Sequence, residues 1–210
     1  MEKAQLLDFL DSLIAKTDLE VSFSQRDALI EYVLLINKWN KAYNLTAVRD
    51  VKEMVVKHIM DSIMVMPYLT GQQCIDVGTG PGLPGIPLAI MCPDKEFTLL
   101  DTLGKRVRFL NQVVYALGLK NVTPVQARVE EYTENNEFDV VISRAFASLK
   151  DMLHWCAHLI HSKGEFLALK GQDPVDEINE CQQEYEVSSK YALTIPNLNA
   201  ERHVLIIRPK

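Results

Sequence analysis

Apolar positions recur at helical spacing through the first third of the chain. Leu6, Leu7, Leu10, Leu13 and Ile14 form one stripe over residues 3 to 17, and Leu29, Tyr32, Val33 and Ile36 form a second over residues 24 to 41. Residues 51 to 66 continue similarly, so three helices are expected first. Ser24, before Gln25-Arg26-Asp27, reads as the cap of the second, with Asp27 placed to complement the helix dipole. From Cys74 the period changes. Short β-rich runs at 73–77, 96–101, 121–126, 138–143 and 164–169 alternate with helical stretches at 83–92, 104–118 and 149–160. That alternation predicts an α/β fold, a parallel sheet with helices on both faces. The tail differs again, with an acidic helical segment at 174–186 and strand-like runs at 189–195 and 203–208. No helix separates those two runs, so they should pair antiparallel at the sheet edge. The organisation is therefore read as an N-terminal helical extension, residues 1–66, followed by an α/β domain, residues 67–210.

Composition narrows the class. Of 210 residues, 48% are hydrophobic and 24% charged, which excludes collagen-like, disordered and disulfide-framework chains. No apolar run approaches the roughly 18 residues of a membrane span. The first residues carry acids where a signal peptide needs bases, so a cytoplasmic protein is expected. Cys74, Cys92, Cys156 and Cys181 form no C-x-x-C pair and read as small buried hydrophobes. The net charge of −6 argues against generic adhesion to nucleic acid, but the charge is segregated. Lys38, Lys41, Arg49, Lys52 and Lys57 fall close together, as do Lys105, Arg106 and Arg108, so a basic face on an acidic protein is allowed.

The strongest local signal is the run Ile75-Asp76-Val77-Gly78-Thr79-Gly80-Pro81-Gly82-Leu83-Pro84-Gly85-Ile86-Pro87, leaving a strand and entering a helix. Gly80-x-Gly82-x-x-Gly85 matches the dinucleotide fingerprint, and Asp101 ends the next strand where a ribose-binding acid is expected. A pyrophosphate, however, is held by backbone N–H groups, and Pro81, Pro84 and Pro87 each remove one. Asp76 would also repel a phosphate. An adenosyl ligand with a sulfonium and no phosphates meets neither objection, so S-adenosylmethionine fits better than NAD. Asp101 would then take the ribose hydroxyls, and Gly78, with Gly80 in the same turn, would lie against the methionine part. Asp76 would contribute negative potential.

The loops after the later strands hold Val129-Glu130, Ser143-Arg144-Ala145-Phe146 and Lys170-Gly171. The fourth loop lacks both the Asn/Asp-Pro-Pro-aromatic run common in amine methylation and the Cys of pyrimidine C5 methylation. Arg144 and Lys170 instead place cations beside the expected reaction centre, suited to a phosphate or a purine edge. His154, His158 and His161 lie at helical spacings, but no carboxylate or Cys completes a metal set, and no metal is expected.

The runs Trp39 to Ala47, His58-Ile59-Met60-Asp61-Ser62, Asp76 to Pro87, Leu100 to Arg106, Ser143-Arg144-Ala145 and Lys170-Gly171 closely resemble the bacterial ribosomal RNA small-subunit methyltransferase G family, over nearly the whole chain. The resemblance implies a Rossmann-like class I S-adenosylmethionine-dependent methyltransferase fold. It implies methyl transfer to N7 of one guanosine in 16S rRNA, in the loop near the decoding centre, within the small subunit or an assembly intermediate. Carried over residue by residue, the cofactor contacts would be Gly78, Leu83, Val129, Glu130 and Arg144, with Asp101 on the ribose. Arg144 and Lys170 would be the catalytic cations, with Phe146 stacking on the flipped base. A monomer away from membranes is expected, and loss of the modification should give mild streptomycin resistance. Two other readings stay open at this point: an NAD-dependent oxidoreductase, and a non-catalytic ribosome-assembly factor that retains the fold.

Overall fold

A computed structural model describes residues 2–133 and 138–210. The first helices are α1 (Lys3–Ile14) and α2 (Phe23–Tyr43). Leu6, Leu10 and Leu13 of α1 are buried against Leu29, Ile30, Val33 and Ile36 of α2. The cap of α2 is Ser22 rather than Ser24. The reason is reciprocal: the Ser22 hydroxyl accepts from Gln25 N, and Gln25 Oε1 accepts from Ser22 N at 2.9 Å, a capping box that Ser24 has no partner to form. α2 stops at Asn44, which takes the left-handed conformation with φ 49°.

The third expected helix is not uniform. It starts as α3 (Val51–Met54), capped by Asp50, widens into a π-helical stretch over Val55–Met60, and returns to α geometry in α4 (Asp61–Ile63). Periodicity does not reveal this widening, because its hydrophobic positions are buried whichever way the turn is wound.

The α/β region carries β1 (Gln73–Val77), α5 (Gly85–Met91), β2 (Glu96–Asp101), α6 (Gly104–Leu117), β3 (Val122–Gln126), β4 (Phe138–Ser143), α7 (Leu149–Cys156), β5 (Ile160–Lys170), α8 (Val175–Cys181), β6 (Tyr185–Ala192) and β7 (His203–Pro209). The acidic helix thus ends earlier than expected, and β6 begins earlier. The seven strands run in the order β3-β2-β1-β4-β5-β7-β6. β1 to β5 are parallel, while β7 is antiparallel to both β5 and β6. The expected antiparallel pair is therefore present, with β7 inserted next to β5. Pro124 is tolerated because β3 is an edge.

Strand residues alternate between two apolar layers. Cys74, Leu99, Val140, Ile142, Leu167 and Ile206 join α1, α2, α5 and α6 on one face. Ile75, Leu100, Val141, Phe166, Ala168 and Leu205 join α7 on the other. The helical extension thus shares one core with the sheet-covering helices: Tyr32 lies 6.5 Å from Phe109, and Trp39 lies 5.6 Å from it, ring centre to ring centre. Tyr32 is buried, and its hydroxyl donates to Pro81 O at 2.8 Å, tying α2 to the glycine-rich turn. Tyr32→Phe leaves that carbonyl without a protein donor and should lower stability by about 1–2 kcal/mol in urea denaturation. An unchanged midpoint would mean that the bond contributes nothing.

Candidate functional site

The switch between β1 and β4, where the strand order reverses, is where an open α/β sheet leaves a crevice at its carboxyl edge. A cavity of about 260 Å³ opens there, lined by Gly78, Asp101, Arg106, Val129, Glu130 and Phe146 among others. Gly78 sits at φ 70°, and a Cβ there would stand 2.7 Å from the Ala145 Cβ, so the turn passes β4 only because no side chain intervenes.

Two buried carboxylates hold the turn. Asp76 Oδ2 accepts from the Thr79 hydroxyl at 2.7 Å and from Gly85 N at 2.9 Å. Asp101 Oδ2 accepts from Gly80 N at 2.9 Å and from Arg106 Nη1 at 3.1 Å, while Oδ1 accepts from Leu103 N at 2.9 Å. The other amides bond to carbonyls: Gly78 and Thr79 to Leu100, Gly82 and Leu83 to Thr79, and Ile86 to Gly82. Every non-proline N–H from residue 78 to 86 therefore already has an acceptor within the protein. No donor remains for a pyrophosphate.

Asp76 Oδ1 is buried without a hydrogen-bond partner. Burial pushes the Asp76 carboxyl up to about 6, against the opposing pull of the Thr79 and Gly85 hydrogen bonds and the Arg144 charge. A site backed by such a carboxylate and by Asp101, with no free amides, suits a cationic nucleoside. The ribose role of Asp101 meets one constraint: three donors already occupy its oxygens, so a diol taking both would displace Arg106.

The expected contacts fall into separate groups. Gly78, Asp101, Val129, Glu130 and Phe146 line one cavity. Gly80 lies in the turn with open space before it. Leu83 is buried in the apolar core, and Asp76 lies beneath the turn. Arg144 and Lys170 line a neighbouring cavity of about 230 Å³ with Asp61, Arg202 and His203. Lys170 donates to Glu177 at 2.7 Å. Asp61 ties the two sides together: Oδ1 accepts from Arg202 Nε at 2.7 Å, and Oδ2 stands 3.6 Å from Arg144 Nη1. Burial pushes the Asp61 carboxyl up, opposed by both guanidiniums.

Nothing in the residue pattern pointed to the Asp61–Arg202 pair, which joins positions far apart in sequence. His58 does not pair with Asp61. Its Nε2 lies 2.9 Å from the Thr46 hydroxyl and its Nδ1 is buried without a partner. His161 is hydrogen-bonded to Asp139 at 2.9 Å, and His154 packs against Trp155. All four cysteines are buried. No described helix is long and apolar enough to cross a membrane.

A family model described as GidB, rRNA small subunit methyltransferase G, matches residues 25–205. The ribosomal RNA small subunit methyltransferase G of Alteromonas mediterranea is 60% identical over 205 residues, spanning 98% of this chain and 95% of that one. Its counterpart from Psychromonas ingrahamii is 60% identical over 203 residues, spanning 97% and 98%. In fold, the chain is similar to a ribosomal protein L11 methylase from Lactobacillus delbrueckii subsp. bulgaricus, with TM-score 0.56 and 15% identity over 72% of this chain and 77% of that one. It is also similar to a SAM-dependent methyltransferase from Geobacter sulfurreducens in complex with S-adenosyl-L-homocysteine, with TM-score 0.54 and 11% identity over 72% and 90%.

Two outcomes test the geometry. Gly78→Ala forces a side chain into a left-handed position, at about 1–2 kcal/mol, and against Ala145; the dissociation constant for S-adenosylhomocysteine in calorimetry should rise about tenfold or more, and an unchanged value would remove Gly78 from the site. The second concerns His58, which burial, aided by the Arg144 charge, lowers from 6.5 to about 4. Its neutral ring contributes stability fully above the unfolded value, and that contribution is lost as pH falls from 6.5 towards 4. Asp76 acts oppositely, since its protonation stabilises the fold at low pH and the effect fades as pH rises through about 6. Subtracting the stability of His58→Gln from that of wild type isolates the ring: the difference should grow by up to about 3 kcal/mol across that window and level off above it.

Proposed function

Because the chain belongs to the rRNA small subunit methyltransferase G family, we propose that it transfers the methyl group of S-adenosylmethionine to N7 of a guanosine in the decoding-region loop of 16S rRNA, acting as a cytoplasmic monomer. The observation that carries the choice of donor is the fully occupied set of turn amides over two buried carboxylates. An NAD-dependent oxidoreductase would need phosphate donors there.

When bound, S-adenosylmethionine supplies an electrophilic methyl group on a cationic sulfonium. The protein's part is then mainly placement. Guanine N7 has an in-plane lone pair and no proton, so no side chain has to act as a base. Asp76 and Asp101 set a negative potential beside the cavity, favourable to a cation. The Gly78–Ala145 approach leaves a narrow floor, and the Val129–Glu130 turn and Phe146 close the sides. Arg144, on the loop immediately before Ala145, lines the second cavity with Lys170; on this reading both cations serve the acceptor.

Calorimetry should show binding of S-adenosylhomocysteine and none of NAD. Labelled methyl groups should enter 16S rRNA of small subunits, and borohydride–aniline cleavage followed by primer extension should place them on N7 of one guanosine. Absence of transfer would leave the assembly-factor reading; transfer without cleavage would move the methyl to another atom. Lys170→Ala should lower kcat/KM on small subunits by about tenfold or more with S-adenosylhomocysteine affinity retained, whereas Arg144→Ala should lower both.

A further inference from the structure

We infer that the second cavity, between α4 and the β5–β7 pair, is a binding site for one backbone phosphodiester of the RNA substrate, with Arg202 as a direct contact and Asp61 as its positioning residue. The inference rests on the rRNA reading above and goes on to name the chemical group bound and the residues that hold it.

The site is built from three directions. The antiparallel register sets Lys170 of β5 opposite His203 of β7, and Arg202 immediately precedes that strand. Arg144 arrives from the end of β4. Asp61 arrives at the end of the π-helical stretch and is only 8% exposed. There it holds Arg202 through Nε at 2.7 Å and keeps Arg144 within 3.6 Å. Two guanidiniums would repel one another in this confined space without that carboxylate between them.

The donors left over define the ligand. Arg202 uses Nε on Asp61 and Nη1 on Glu201 O, which leaves Nη2. Arg144 has no hydrogen-bond partner among the described residues. Lys170 keeps its charge close to Glu177, and His203 Nδ1 is buried and unpartnered. Three permanent cations face two carboxylates, Asp61 and Glu177, so one positive charge is left for an anion. Several convergent donors with a single excess charge match the monoanionic, oxygen-rich phosphodiester, and guanidinium groups bind phosphate oxygens in forked geometry. A neutral guanine edge would leave that charge uncompensated. The cavity is also separate from the one holding Gly78 and Asp101, so a backbone phosphate can be held while a base lies beside the methyl donor.

The test uses full-length protein and 30S subunits lacking the modification, with filter binding over a series of KCl concentrations. Losing one phosphate contact should reduce the slope of log K against log salt by about 0.7–0.9. Arg202→Gln should therefore bind subunits about tenfold more weakly near 0.15 M salt, with the flatter slope, and Arg202→Lys should keep the wild-type slope. Since Arg202→Gln leaves the Asp61 charge with one partner fewer, the double variant Asp61→Asn/Arg202→Gln removes both groups and should show the same flattened slope with an unaltered melting temperature. Arg202→Gln and Arg202→Lys should bind S-adenosylhomocysteine within about twofold of wild type, a readout that general misfolding would shift. An unchanged slope in Arg202→Gln overturns the inference. So does a loss of S-adenosylhomocysteine affinity equal to the loss of subunit binding, which would assign the cavity to the carboxylate of the methionine tail. Failure of the functional reading shows separately, as wild-type protein that binds subunits yet transfers no methyl to 16S rRNA.

Discussion

The site depends on two carboxylates buried under a turn that, in nucleotide-binding proteins, is folded around phosphate. Asp76 Oδ2 gathers the Thr79 hydroxyl and Gly85 N, and Asp101 Oδ2 gathers Gly80 N. The protein's own negative groups thus occupy the amides that a pyrophosphate would otherwise use. Gly85 is required in this arrangement, because a Cβ there would stand 2.8 Å from Asp76 Oδ2. The arrangement has an energetic penalty. Burial raises Asp76 to about 6, and its second oxygen has no partner. Such a penalty at a site persists only when the surrounding structure fixes the geometry, and here Tyr32 fixes it from above through Pro81 O.

The same economy of charge reconciles a net charge of −6 with an RNA substrate. Adhesion spread over the whole surface is not available to this chain. A small number of arginines is instead gathered at the carboxyl edge of the sheet and kept apart from one another by Asp61. Arg144 is central. Its charge opposes the raised values of Asp76 and Asp61 and adds to the lowering of His58, so one side chain acts on three buried groups.

Much of this was legible in the residue pattern. Alternation of short apolar runs with helical stretches pointed to the parallel sheet, because strands covered on both faces have to be apolar at successive positions, as in Val140-Val141-Ile142. The turn and Asp101 were legible because strand, glycines and acid occur in a fixed order. The three prolines indicated the shortage of donors but account for only part of it: internal bonding of the remaining amides exhausts the rest, and no residue pattern shows that bonding. Long-range polar pairing was illegible, because Asp61 and Arg202 carry no shared periodicity. The π-helical stretch was hidden for a related reason, since Val55, Val56, Ile59 and Met60 are buried on all sides and so give no face from which to judge the winding.

That stretch also explains why the helical extension cannot be regarded as a passive cover. An added residue in a helical turn rotates the residues beyond it by roughly 100° about the axis, and such widened turns occur mainly where function requires a side chain in an unusual direction. Here it delivers His58 and Asp61, three positions apart, to the neighbourhood of one guanidinium. His58 is anchored through Thr46, whose backbone N–H in turn donates to Asn40 of α2 at 3.0 Å. Contacts therefore run from α2 through Thr46 to His58, which shares the widened helical segment with Asp61, the partner of Arg202, while Tyr32 of α2 reaches the glycine-rich turn. α2 thus reaches the glycine-rich turn through Tyr32 and the helical segment bearing Asp61 through Asn40 and Thr46, so any movement of α2 against the sheet would disturb both.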